Sequence, residues 1–194
     1  GLPFWLAGAY AEPERFAAAR AAGAAGVQIG TAFAFCEESA VRPDLRLEVC
    51  RLARAGRARV YTDPLASPTG FPFKVIQMDG TLSESTVYTG RPRICDLGYL
   101  REPYLRVDGS LGYRCAAEPD ADYVRKQGDP AALAGRKCLC NGLIATAGLA
   151  QIRADGTAEP PILTAGNDVS QLARFLPGDA ETYTAADVIR HVLG

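Results

Sequence analysis

Apolar residues first occur in short unbroken runs, separated by a segment with helical spacing. Leu2-Pro3-Phe4-Trp5-Leu6-Ala7 is one such run, and it leads into a turn of small residues, Gly8-Ala9-Tyr10-Ala11. Glu12-Pro13-Glu14 then opens a predicted helix. Proline suits a first turn, where no N–H is required, and carboxylates suit the partly positive end. The helix continues through Phe16 and an alanine-rich stretch of high helix propensity until Gly23 stops it. Ala25-Gly26-Val27-Gln28-Ile29 is a second apolar run. It ends at Gly30-Thr31, and Ala32 to Cys36 reads as a short helix. Strand, helix, strand, helix at this spacing is a βαβα pattern, which predicts a parallel sheet with buried strands.

Leu45, Val49 and Leu52 share one face of a further predicted helix, Leu45 to Ala55, with Arg46, Glu48 and Arg51 off that face. Arg59 to Thr62 is a short strand candidate. From Asp63 to Lys137 the texture changes to Pro, Gly, Ser and Thr, as in Ser67-Pro68-Thr69-Gly70-Phe71-Pro72. Asp108-Gly109 between Tyr104–Val107 and Leu111–Tyr113 predicts a hairpin. Regular pattern returns at Leu139 to Leu149. Pro160-Pro161-Ile162-Leu163-Thr164 reads as a last strand, Asp168 as the cap of a helix Val169 to Phe175, and Thr184-Ala185-Ala186-Asp187 as a capping box. The expected organisation is therefore βα units at 1–62, an inserted loop-rich subdomain at 63–137, and closing elements at 138–194.

Composition narrows the function classes. A hydrophobic share of 48% with 22% charged residues is that of a globular domain, and no apolar run approaches a membrane span. The net charge of −1 arises from interspersed signs, so no basic face is expected for nucleic acid or anionic lipid. No secretory pattern precedes the first strand, which makes a reducing cytoplasm the expected setting. Because the chain opens inside a core element, it reads as cut from a longer protein, needing an N-terminal half or self-association to cover its edges.

Candidate chemistry sits at the two strand ends, Ala7-Gly8-Ala9 and Gly30-Thr31. Small residues let a backbone approach phosphate oxygens, and a following helix start offers unpaired N–H groups with partial positive charge. In (β/α)8 barrels such a phosphate site recurs after the seventh and eighth strands. Leu6-Ala7-Gly8-Ala9, then Gly26-Val27-Gln28-Ile29-Gly30-Thr31-Ala32-Phe33 and Glu37-Glu38-Ser39, resemble the nitronate monooxygenase (2-nitropropane dioxygenase) family. The resemblance covers about forty residues at full strength and the remainder more loosely.

The resemblance implies an α/β fold that is the C-terminal part of a (β/α)8 TIM barrel. It implies FMN as cofactor, with Gly8, Ala9, Gly30 and Thr31 at the flavin phosphate and Gln28 lining the barrel nearby. The implied reaction is oxidation of an alkyl nitronate with dioxygen. Enoyl-thioester reduction by a related flavin barrel, or a non-catalytic phosphate-binding scaffold, are the alternatives. The family's usual second glycine is Ala9 here, which is harmless only if the turn does not need positive φ. The family's catalytic histidine precedes its Ala-Gly-Gly turn. The single histidine of this chain, His191, lies in the closing helix and reads as a helix residue, so the catalytic residues are unassigned. Phe71, Phe73 and Tyr99 are candidates for an apolar substrate wall, and Lys74 and Arg101 for meeting a negatively charged substrate.

Cysteine usage adds one further possibility. Cys36 and Cys50 lie in apolar helical stretches, as small hydrophobes do. Cys95, Cys115, Cys138 and Cys140 instead fall in or beside the loop-rich segment, and four thiols match the count for a structural zinc or iron–sulfur centre. Reduced thiols or a redox pair are the alternative, since no Cys-x2-Cys knuckle is present.

Overall fold

A computed structural model describes residues 1–194. The chain is mixed α/β, with three two-stranded sheets and no closed barrel, and it forms two compact units, Gly1–Val60 with Ala165–Gly194, and Tyr61–Thr164. No helix is long and apolar enough to cross a membrane.

The first unit begins with Trp5–Ala7 (β1), which pairs in parallel with Gly26–Gln28 (β2): Trp5 opposite Gly26, Leu6 opposite Val27, Ala7 opposite Gln28. Gly26 lies beneath the Trp5 indole, where a Cβ would come within 3.0 Å of the ring. Pro13–Ala21 (α1) connects the strands with Pro13 in its first turn, and Gly23 leaves the helix at φ +84°, a left-handed conformation that suits glycine. Thr31–Ala34 (α2) and Pro43–Arg54 (α3) follow. On α3 the buried residues are Leu45, Val49, Cys50 and Ala53; Leu45 and Val49 are on the predicted face, whereas Leu52 is half-buried. The expectation of buried strands does not hold at β1. Leu2, Phe4 and Trp5 are exposed, because a two-stranded sheet leaves its outer edge without a neighbour.

In the second unit, Val60–Asp63 (β3) hydrogen-bonds with Phe73–Ile76 (β4), and Ser85–Gly90 (α4) follows. The hairpin is Glu102–Leu105 (β5) against Leu111–Arg114 (β6), antiparallel, with Gly109 at φ +79° in its turn. Asp120–Arg125 (α5) and Leu139–Thr146 (α6) complete the regular elements. A small core of Ala66, Val75, Leu82, Leu139 and Ile162 holds them, and α6 approaches Ile162 so closely that a Cβ on Gly142 would lie 2.7 Å from its Cγ2. Pro160–Thr164 is not the expected strand. Its two prolines have no N–H for a ladder, so the segment serves mainly as an acceptor, Pro161 taking a bond from Leu82 and Leu163 one from Ile76.

The chain then returns to the first unit. Asn167–Phe175 is a 3₁₀ helix rather than the expected α-helix, and its N-cap is Gly166, with no side-chain cap. Asp168 is not free to cap because its carboxylate accepts the Thr31 hydroxyl at 2.8 Å. Ala185–Leu193 (α7) carries the predicted capping box, with Thr184 and Asp187 bonding each other's backbone N–H. Phe35, Val49, Leu172, Phe175, Tyr183 and Val188 are among the buried side chains of this unit. Tyr183 donates its hydroxyl to the Ala32 carbonyl at 2.7 Å, which anchors α2 from below.

Cys50 on α3 is 1% exposed, and burial pushes its thiol up to about 11 from an ordinary 9.0. The native state holds this proton more tightly than the unfolded chain does. Stability is therefore fully present below pH 9 and is lost as pH rises through about 11. Denaturant melts across that window should show a loss that is larger in the wild type than in Cys50→Ala by on the order of 1–2 kcal/mol. Parallel slopes for the two proteins would refute it.

Candidate functional site

Parallel pairing of β1 and β2 fixes where the two small-residue turns emerge. Since Ala7 lies opposite Gln28, the chain leaves both strands at the same end, β1 into Gly8-Ala9 and β2 into Ile29-Gly30-Thr31. Neighbouring strands are about 4.8 Å apart, so the turns are side by side. Gly8, Gln28 and Gly30 are exposed, and a Cβ added to either glycine would meet nothing within 4 Å. Gly30 is the N-cap of α2, and the leading amides of a helix lie outside its own hydrogen-bond ladder. The site is thus open backbone at two adjoining strand ends, the polar surface an anionic group requires.

Two features differ from the sequence expectation in their detail. Ala9 takes φ +58° directly after Gly8 at φ +99°, so the turn does use positive φ where the family has its second glycine. An L-residue pays about 1–2 kcal/mol there, partly offset by the roughly 0.5–1 kcal/mol that glycine loses through chain entropy. Ala9→Gly should consequently raise stability by about 0.5–1 kcal/mol in a urea melt, and a loss of stability would contradict the strain. Thr31 is buried, and its hydroxyl is already engaged. It donates to Asp168 Oδ1 and accepts from the Gly166 N–H at 2.9 Å. The Thr31 side chain therefore ties α2 to the closing segment rather than facing the open turns.

Sequence reasoning missed two neighbours of these turns. Arg15, one turn into α1, reaches back to donate to the Ala9 carbonyl at 3.1 Å, and with Gly8 and Tyr10 it lines a cavity of about 410 Å³. Asp168 is the other, brought to Thr31 from far along the chain. A basic residue in the first turn of α1 was the only local signal for Arg15; Asp168 had none. His191 packs edge-on against Phe175, ring centroids 5.1 Å apart, with Nε2 at 3.6 Å from Glu12 Oε2. It is a packed helix residue in this arrangement.

The remaining candidates lie in the second unit. Phe73 packs on the Val75–Leu82–Ile162 core, whereas Phe71 and Tyr99 are exposed. Arg101 directs its guanidinium to the Cys95 sulfur at 3.7 Å. Lys74 is half-buried on β4. A cleft of about 480 Å³ is lined by Arg91, Arg93, Arg136, Lys137, Tyr88 and Cys138 among others. Its cations are committed to holding loops together. Arg136 donates to the carbonyls of Leu65, Ser67 and Ala132, Arg93 to those of Ala116 and Leu133, and Lys137 meets Asp63 at 3.3 Å.

All six cysteines are unpaired thiols. Cys115 and Cys138 belong to one buried cluster with Ala117, and Cys140 packs against it. As the side chains stand, no group of three or more His, Cys, Asp or Glu is arranged to hold a metal ion. Burial pushes the Cys115 and Cys138 thiols up to about 11, while backbone amides of Ala117 and Asn141 donate to their sulfurs and pull the other way.

Comparison of the chain with family models, with curated proteins and with solved structures finds no match in any of the three.

Proposed function

We propose that the chain is part of an FMN-dependent oxidoreductase of nitronate monooxygenase type, and that it grips the flavin phosphate. The observation that carries this reading is the parallel register of β1 and β2, with open space beside Gly8 and Gly30 at the same strand end. Two such turns after consecutive parallel strands are the arrangement that takes phosphate at the mouth of a (β/α)8 barrel. On this reading the chain is the C-terminal part of such a barrel, and the loop-rich region is an insertion in it. The exposed Leu2, Phe4 and Trp5, at and just before the start of β1, support that view, because barrel closure sets another strand beside β1. An N-terminal barrel half, or a second copy, would supply it together with a catalytic base.

Bound FMN would supply the electron-accepting chemistry, with an alkyl nitronate as the small substrate and dioxygen as the final acceptor. This chain's own part is binding and orientation. The amides of the Gly8-Ala9 and Gly30-Thr31 turns would donate to phosphate oxygens, and Arg15 places positive charge beside the first turn. The Thr31–Asp168 bond holds the start of α2 in place beneath them.

Flavin fluorescence quenching tests the phosphate grip directly. FMN should bind at least about tenfold more tightly than riboflavin, which lacks the phosphate, a difference of about 1.4 kcal/mol or more. Equal affinity for the two, or none for either, would sink the assignment.

A further inference from the structure

We propose that Cys95, Cys115, Cys138 and Cys140 hold a metal centre through four thiolates. The site lies wholly within Tyr61–Thr164, so it stands or falls independently of the flavin reading.

Convergence is the first argument. Cys95 lies in the loop between α4 and β5, Cys115 directly after β6, and Cys138 and Cys140 at the entry to α6. Two of these segments meet directly: Cys115 and Cys138 share a buried cluster, and Cys140 packs on it. The third is tied to the same helix, because the Asn141 side chain on α6 holds Ile94 and Asp96, the residues on either side of Cys95. The two other cysteines, Cys36 and Cys50, belong to the first unit.

The bracing of the cysteine segments is the second. The chain turns tightly after Cys115, with the Glu118 N–H bonded to the Cys115 carbonyl at 2.9 Å. Asn141 is 0% exposed and braces the Cys95 loop from α6. Its side-chain amide donates to Asp96 Oδ2 at 2.5 Å and to the Ile94 carbonyl at 3.4 Å.

Charge is the third. Four thiolates around a divalent ion leave two negative charges, and two guanidinium groups are near. Arg101 donates to the Cys95 sulfur, and Arg91, which also pairs with Glu159, lines the same cleft as Cys138. The surrounding unit also has a core of only small extent, the circumstance in which a metal contributes most to folding.

As the side chains stand the sulfurs are not grouped around one point, and on this proposal metal binding turns each about its side-chain torsion to draw the four together. Loading with zinc forms four Zn–S bonds and releases four protons to solvent, with no change of oxidation state. A four-iron, four-sulfide cluster would use the same four thiolates, assembled from two ferric ions, two ferrous ions and four inorganic sulfides, so that no further oxidant is needed.

The test is metal analysis of the purified chain, expressed in metal-replete medium and handled without chelators or oxygen. We expect about one zinc per chain, or iron matched by acid-labile sulfide. A mercurial titration of the wild-type chain should release the metal in step with about four thiols, and this readout needs no variant to fold. Cys138→Ser and Cys115→Ser should lose the metal, while Cys36→Ser retains it. Less than about a tenth of an equivalent of zinc and iron together would overturn the proposal, as would metal that stays bound after the mercurial has taken up all six thiols.

Discussion

Glu159→Ala should cost the Tyr61–Thr164 unit about 3–5 kcal/mol, which is the penalty for stripping one partner from a buried ionic network. The Glu159 side chain is 1% exposed and bridges two arginines. Its Oε1 accepts from Arg91 Nε at 2.5 Å, and its Oε2 accepts from Arg153. Arg91 is 7% exposed and also donates to the Ile94 carbonyl, while Arg153 also grips both carboxylate oxygens of Asp96. Removing the carboxylate leaves Arg91 charged, desolvated and without a counter-ion. That is far costlier than losing a surface pair, which is worth about 0–1 kcal/mol. Glu159→Gln keeps the shape but turns an amide N–H2 toward one of two cationic donors, so it should lose nearly as much. Urea denaturation of the two variants against wild type measures this, and a loss below about 1 kcal/mol would refute the network's role. Since Ile94 and Asp96 flank Cys95, the same variants should also lower metal retention at the four-cysteine cluster.

Local signals predicted local structure well. The Asp108-Gly109 turn needs only its own residues and their neighbours, and the hairpin forms with Leu105 opposite Leu111. The Thr184–Asp187 box is also self-contained, and α7 starts where it says. The apolar spacing of α3 is met by burial at Leu45 and Val49. Expectations failed where a distant partner decides. Nothing near Asp168 in sequence announces that Thr31, more than a hundred positions earlier, will bond its carboxylate, or that the helix starts at Asn167 with Asp168 inside it and Gly166 at the cap. Burial periodicity also misled at Ile162 and Leu163. Both are buried as a strand would bury them, yet the preceding prolines deny the segment a ladder.

The candidate site was legible to a similar degree. Two glycine-bearing turns after parallel strands can be read from spacing alone. The left-handed φ of Ala9 and the return of Arg15 onto its carbonyl cannot, because both depend on how α1 folds back beside β1. Likewise the four cysteines have no knuckle spacing to mark them, and only the packing of α6 beside the turn after β6 brings Cys138 to Cys115.

Gly30→Asp separates stability from binding at the flavin site, since the two should move in opposite directions. Gly30 has φ −101°, which any L-residue adopts, and a Cβ there meets nothing within 4 Å. The position is the N-cap of α2, where an aspartate can accept from the helix's leading amides. It should leave the fold as stable as before or better by a few tenths of a kcal/mol. That same carboxylate would occupy the amides and set a negative charge where a phosphate dianion is to sit. The expected result is an FMN affinity lower by about a hundredfold or more, roughly 2.7 kcal/mol, with little change for riboflavin. Gly8→Asp could not make this distinction, because φ +99° strains any side chain and would confound binding with folding. If Gly30→Asp binds FMN as wild type does, the phosphate is not held at this turn, whatever else the chain does.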